Sequence, residues 1–132
     1  AVTSDGQFVF IRQYRHGLQQ TSYELCAGVC EKEDASPLAS AQRELLEETG
    51  YGNGSWQEYM QISPNPSTHT NITYCFLATG VEKISEQHLE DTESLSVHLL
   101  TLAEVKELLQ KGEIKQALMA APLWKYIAEK GL

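Results

Sequence analysis

Glu44, Glu47 and Glu48 lie within one short run, Arg43-Glu44-Leu45-Leu46-Glu47-Glu48-Thr49-Gly50. The run reads as the last turns of a helix stopped by Gly50. Carboxylates are unfavourable there, because the C-terminal end of a helix carries the negative pole of its macrodipole. Glu44 and Glu48 also repel each other across one turn, at i,i+4. Acids held against both effects point to a cation. Magnesium or manganese, which prefer carboxylate oxygens, suit such a site. The other reading, a solvated acidic face, does not explain why the acids gather at the wrong end of the dipole.

The elements that must position these residues follow from local chemistry. Ser36 is placed to cap a helix and Pro37 to occupy its first position, so the spacing predicts a helix over 37–49 with Gly50 as its left-handed stop. At about 100° per residue, Leu38, Ala41, Gln42, Leu45 and Leu46 spread over one side and the three glutamates over the other. An acidic outer stripe is therefore expected, with Arg43 reaching Glu47 at i+4. Upstream, Ser4-Asp5-Gly6-Gln7 predicts a hairpin with a type I′ turn between Ala1-Val2 and Phe8–Ile11. Strands are expected over 22–29, 56–62, 72–78 and 95–100. Ser63–Thr68 reads as a loop. Thr101 with Glu104 predicts a capping box and a helix to about Lys111, stopped by Gly112. A last helical region covers Ile114–Lys130, with Pro122 kinking it or starting a new helix at Leu123. Strands interspersed with helices give an α/β (α+β) fold with a mixed sheet.

The 132 residues suit a single domain spanning 1–132. A net charge of −8 argues against a polymeric nucleic-acid partner, which needs a basic face. It leaves room for a small phosphorylated ligand held through a metal. No apolar run reaches the ~18 residues of a membrane span. The three cysteines have no CxxC spacing, so they read as small buried hydrophobes of a protein in the reducing cytoplasm. His16, His69, His88 and His98 show no metal-ligand spacing. Ala1-Val2 already looks like the tail of a strand, so a further N-terminal strand segment is expected upstream.

The stretch from Gly28 through Arg43-Glu44-Leu45-Leu46-Glu47-Glu48-Thr49-Gly50-Tyr51 resembles the signature of the Nudix hydrolases. From Arg43 onward the match is position for position, with Tyr51 in place of an aliphatic residue. Ahead of it one extra residue sits within Val29–Ala35, and Glu33 or Asp34 stands where the family has a glutamate. The Ser36-Pro37 start keeps its spacing to Arg43, so the insertion belongs to the loop, where such changes are tolerated. Ile11-Arg12-Gln13-Tyr14-Arg15, Tyr23-Glu24-Leu25-Cys26-Ala27-Gly28, Ser63-Pro64-Asn65-Pro66, Glu93 with Val97-His98, and Gly112-Glu113-Ile114 look like the branch that includes ADP-ribose pyrophosphatases.

The resemblance implies a Nudix-type α/β/α sandwich. It also implies hydrolysis of the pyrophosphate of a nucleoside diphosphate derivative, ADP-ribose or a related nucleotide sugar first among them, to AMP and a sugar phosphate. The same fold also serves nucleoside-triphosphate pyrophosphohydrolases that clean oxidised nucleotides, and nucleotide sensors, which tend to lose the metal carboxylates. Glu44 and Glu48 are the implied metal ligands, with Glu47 a further ligand or a catalytic group and the Ala27 carbonyl completing the shell. Magnesium is the implied cofactor and manganese the alternative. Asp91 and Glu93 fall where members carry the loop acids that supply a general base. Arg15, Glu24 and Gly28 fall on the substrate side, Arg15 as a phosphate clamp. Arg43 and Gly50 are structural, Arg43 anchoring Glu47 or the loop acid. The branch implies a homodimer.

Overall fold

The computed structural model describes residues 1–15, 19–28, 30, 33–68, 70–89 and 95–131, and of Arg15 its backbone alone. The element order is β1 (Val2–Thr3), β2 (Phe8–Arg15), β3 (Gln20–Glu24), α1 (Pro37–Thr49), β4 (Tyr51–Gly52), β5 (Ser55–Ile62), β6 (Thr73–Lys83), β7 (Ser96–Leu100), α2 (Leu102–Gln110) and α3 (Ala117–Glu129). The sheet is mixed. β2 lies antiparallel to β1, β3 and β7, β1 runs parallel to β6, and β6 pairs antiparallel with β4 and β5.

Alternation along β2 makes the sandwich. Phe8 and Phe10 point to one face and pack with Val105, Leu109, Met119, Leu123 and Ile127 of α2 and α3. Val9, between them, belongs to the other cluster, with Leu45 of α1 and Ala78 and Val81 of β6. One strand thus carries both cores, and α1 has a face of the sheet to itself. No helix among the described residues is long and apolar enough to cross a membrane.

The first hairpin forms, but not with a type I′ turn. That turn needs positive φ at both central residues, and Gly6 alone has it, at 82°. The Gly6 amide donates to the Thr3 carbonyl at 2.9 Å and the Thr3 amide to the Gln7 carbonyl at 2.8 Å. This is a three-residue loop with the glycine as a bulge, which spares Asp5 a left-handed backbone. β3 stops at Glu24, so Leu25–Gly28 is irregular where a strand was expected. β6 runs on to Lys83 because β1 and β4 pair with its far end. α3 begins at Ala117 and passes through Pro122 as one helix. Its buried residues Met119, Leu123 and Ile127 recur every four positions, and that apolar seam offsets the ~3 kcal/mol a mid-helix proline costs.

β5 carries an irregularity at Tyr59, between Glu58 paired to Phe76 and Met60 paired to Cys75. A bulged residue leaves its carbonyl outside the ladder. Lys125 of α3 supplies the donor, at 2.6 Å from the Tyr59 carbonyl. The same ammonium sits 3.9 Å from the Tyr59 ring centroid, and the phenol donates to Glu129.

Candidate active site

α1 is built as its sequence predicts. The Ser36 side chain accepts from the Ala39 amide at 3.1 Å, Pro37 opens the helix, and Gly50 closes it at φ 78° with its amide on the Leu46 carbonyl. The helix faces the sheet with Ser40, Leu45, Glu48 and Thr49. This corrects the expected stripe in two places. Gln42 is exposed, and Glu48 is not on an outer face but buried, at 8% exposure. A buried face centred on Leu45 takes in positions three and four residues on, and Glu48 is one of them.

Arg43 organises the other acids. Its guanidinium forks onto Asp34, Nε to Oδ1 at 3.0 Å and one terminal nitrogen to Oδ2 at 3.1 Å. The second terminal nitrogen reaches Glu47 at 3.2 Å and Glu44 at 3.1 Å. Of the two acids expected to stand in for the loop glutamate, Asp34 is thus the one Arg43 holds. A bidentate fork of this kind adds direction to charge, and it fixes the enlarged loop to the helix. The side chains grade in exposure from Glu44 at 17% to Glu47 at 45%, so Glu47 faces water most.

Gly28 lies against Glu44. A Cβ there would fall inside the van der Waals envelope of the Glu44 carboxylate, so the missing side chain makes the space in which that carboxylate sits. Ala27 and Gly28 are both exposed and irregular. Glu24 ends β3, buried at 5% exposure, and accepts from the Ser22 hydroxyl at 3.2 Å. Arg15 ends β2, paired with Gln20. Its side chain, and Glu90, Asp91, Glu93, His16 and His69, lie outside the described residues.

Cys26 lies beside Glu48, and burial first and that carboxylate second push its thiol well above the usual range. The cysteines are not uniformly buried as expected. Cys26, packed at the edge of the α1-side cluster, and Cys75 of β6 are half-buried, and Cys30 is exposed. Of the aromatic residues, Trp56 packs on the α1-side cluster and donates to the Asn53 carbonyl at 2.8 Å. Tyr23 meets Phe10 and His98 edge to face, and Tyr14 is exposed.

Among the described residues, no three His, Cys, Asp or Glu side chains converge as a ready cation cage. Glu44 and Glu47 turn to the guanidinium of Arg43, and Glu48 turns inward. The donor chemistry nonetheless fits a hard divalent ion: carboxylates at i, i+3 and i+4 of one helix end, beside backbone that Gly28 leaves bare.

A segment beyond β6, which carries no motif of its own, completes the helix end. The His88 amide donates to the Glu47 carbonyl at 2.7 Å, and Ile84 and Ser85 donate to the Gly50 carbonyl at 2.8 and 3.1 Å. The Gln87 side chain donates to the Glu48 carbonyl at 2.7 Å.

A mixed-sheet α/β/α sandwich with an acidic helix end set over one face is the frame of a Nudix hydrolase. The model of the NUDIX domain matches residues 1–121, and the chain belongs to that family, whose hydrolases generally need a divalent metal. It is 31% identical over 118 residues to an ADP-ribose pyrophosphatase of Bacillus subtilis (strain 168), covering 89% of this chain and 63% of that protein. To an ADP-ribose pyrophosphatase of Mycobacterium tuberculosis (strain ATCC 25618 / H37Rv) it is 28% identical over 123 residues, 92% of this chain and 59% of the relative. The chain therefore spans about three fifths of the length of these curated relatives. The crystal structure of an ADP compounds hydrolase superposes with a TM-score of 0.79 at 22% identity, covering 96% of this chain and 69% of that one. That likeness establishes the fold.

Proposed function

We propose that this protein hydrolyses the pyrophosphate of a nucleoside diphosphate derivative, ADP-ribose or a related nucleotide sugar, with magnesium as cofactor and manganese as a substitute. The observation that carries the reading is the end of α1. Arg43 holds Glu44 and Glu47 there, Glu44 beside the bare backbone of Gly28, and Glu48 lies next to them in the same turn, buried against the sheet side. The kinship to ADP-ribose pyrophosphatases supports the substrate class.

In this reading Glu44 and Glu48 hold the cation, the Ala27 carbonyl completes the shell, and Glu47 takes the water-facing side. When bound, a divalent cation neutralises phosphate oxygens and lowers the pKa of a coordinated water. Asp91 or Glu93 accepts the proton of the attacking water. Arg15 balances the charge of the diphosphate, and Glu24 and Gly28 shape the substrate side. Water adds to one phosphorus as the bridging P–O bond breaks, leaving AMP and a sugar phosphate. Arg43 and Gly50 hold the frame. The working unit is a cytoplasmic homodimer of single Nudix domains, which light scattering on the purified protein checks.

The test is turnover of ADP-ribose, GDP-mannose, a dinucleotide and 8-oxo-dGTP by the whole protein, with Mg²⁺ and with EDTA. ADP-ribose or GDP-mannose should turn over fastest, and EDTA should abolish activity. Glu48→Gln should lower kcat by about 10²–10³-fold, the scale of losing one group that stabilises transition-state charge. EDTA-insensitive turnover or an active Glu48→Gln variant would sink the metal assignment, and preference for 8-oxo-dGTP would move the substrate class.

A further inference from the structure

The carbonyls at the end of a helix need donors from outside it, and the 84–88 segment provides them at α1. Three of its four donors, on Ile84, Ser85 and His88, are backbone amides that any non-proline residue would present. The fourth is the side chain of Gln87, which crosses to the Glu48 carbonyl at 2.7 Å. Gln87 is an exposed residue spending its amide on one backbone oxygen 39 positions away in sequence. The position of that oxygen gives the bond its meaning. It belongs to the peptide of Glu48, next to that of Glu47, whose own carbonyl is held by His88.

We propose that Gln87 is a positioning residue for the carboxylates of Glu47 and Glu48, acting through the Glu48 peptide on the cation they would hold. The inference rests on the proposed metal-dependent reading and deepens it. The last turn of a helix frays when its carbonyls lack donors, and here fraying would swing two candidate ligands. A donor on the Glu48 carbonyl fixes the turn. It also covers partial negative charge at the dipole's negative pole, where two carboxylates already crowd. Groups that orient metal ligands in this indirect way typically matter about 10–100-fold in metal affinity or activity.

The experiment measures Mn²⁺ affinity by electron paramagnetic resonance on the whole protein, well below its melting temperature. It compares wild type, Gln87→Met, Gln87→Ala and Glu48→Gln. Met keeps the length of the side chain and loses only the donor. Both Gln87 variants should bind Mn²⁺ about tenfold more weakly, while the thermal midpoint without metal and the KM for nucleotide substrate at saturating Mn²⁺ stay near wild type. If Gln87→Met binds Mn²⁺ like wild type while Glu48→Gln binds it weakly, the positioning role is wrong and the metal site stands. If Gln87→Met only lowers the thermal midpoint and leaves Mn²⁺ affinity intact, Gln87 is a structural staple and the proposal is again overturned. Wild-type affinity in Glu48→Gln would remove the metal site, and this inference with it.

Discussion

Within two turns of α1 the acids meet different surroundings: Glu44 beside bare glycine backbone, Glu47 toward water, and Glu48 beside Cys26 under the helix. Burying a carboxylate costs free energy unless it is compensated, and Glu48, at 8% exposure, is the most buried of the three. Gly28 is the sharpest probe of this arrangement. Gly28→Ala places a methyl group where the Glu44 carboxylate now sits. Because Gly28 is exposed and outside any strand, the fold should tolerate the change. The expected outcome is a thermal midpoint near wild type with Mn²⁺ affinity and kcat lowered about tenfold or more, the scale of disturbing a ligand's support. Retained metal affinity would show that Glu44 does not need that space.

At the scale of elements, Gly50 is both the left-handed cap of α1 and the seat of the 84–88 segment, a strap across the helix end. A Cβ there would run into the Ser85 carbonyl, on top of the roughly 1–2 kcal/mol cost of a left-handed backbone for other residues. Gly50→Ala should therefore destabilise by at least about 2 kcal/mol in urea unfolding, unlike an ordinary helix-stop glycine. The latch between β5 and α3 makes a different prediction, set by pH. Desolvation first, then the hydrogen bond and charge of Glu129, raise the Tyr59 phenol above its usual value of 10.0. The folded state thus holds that proton more tightly than the unfolded chain. Its contribution is whole below about pH 10 and is lost as pH rises beyond it. Urea midpoints measured from pH 9 upward should fall more steeply in wild type than in Tyr59→Phe.

What could be read from the sequence at this scale was whatever neighbouring residues decide among themselves. Ser36-Pro37 and Gly50 bound α1, and the Thr101–Glu104 capping box forms with both of its hydrogen bonds. The site's acids were legible for the same reason, since their spacing along one helix is a local property. Burial of Glu48 was not, because the sheet decides which face of α1 is covered. The end of β3, the reach of β6 and the Gln87 contact depend on partners far along the chain, and no pattern in residues 84–88 announces an acceptor at Glu48. The turn at Asp5-Gly6 departs from its local pattern more narrowly. Asp-Gly fits two hairpin loops, and the register of Val2 on Phe8 selects the longer one.

For the whole molecule, β2 joins two cores that hold different helices, α1 on one face and α2 with α3 on the other. The strap adds a second connection of another kind. Since His88 and Gln87 are bonded to the carbonyls of Glu47 and Glu48, the stretch between them, which contains β4, β5 and β6, is closed into a ring by hydrogen bonds. Opening that ring at either end frees both. Local openings in proteins follow such cooperative units, and a ligand that binds only the closed form lowers the population of every opening that breaks its site. Amide protons in the middle of β5 and β6 should therefore exchange more slowly with deuterium when Mn²⁺ is present, although they lie outside the carboxylate cluster. Those of α2, across the sheet, should change least. Unaltered exchange in β5 and β6 on loading would show that the ring does not open as one. The strap would then make the strands that frame the site an indirect reporter of its occupancy, readable without any substrate.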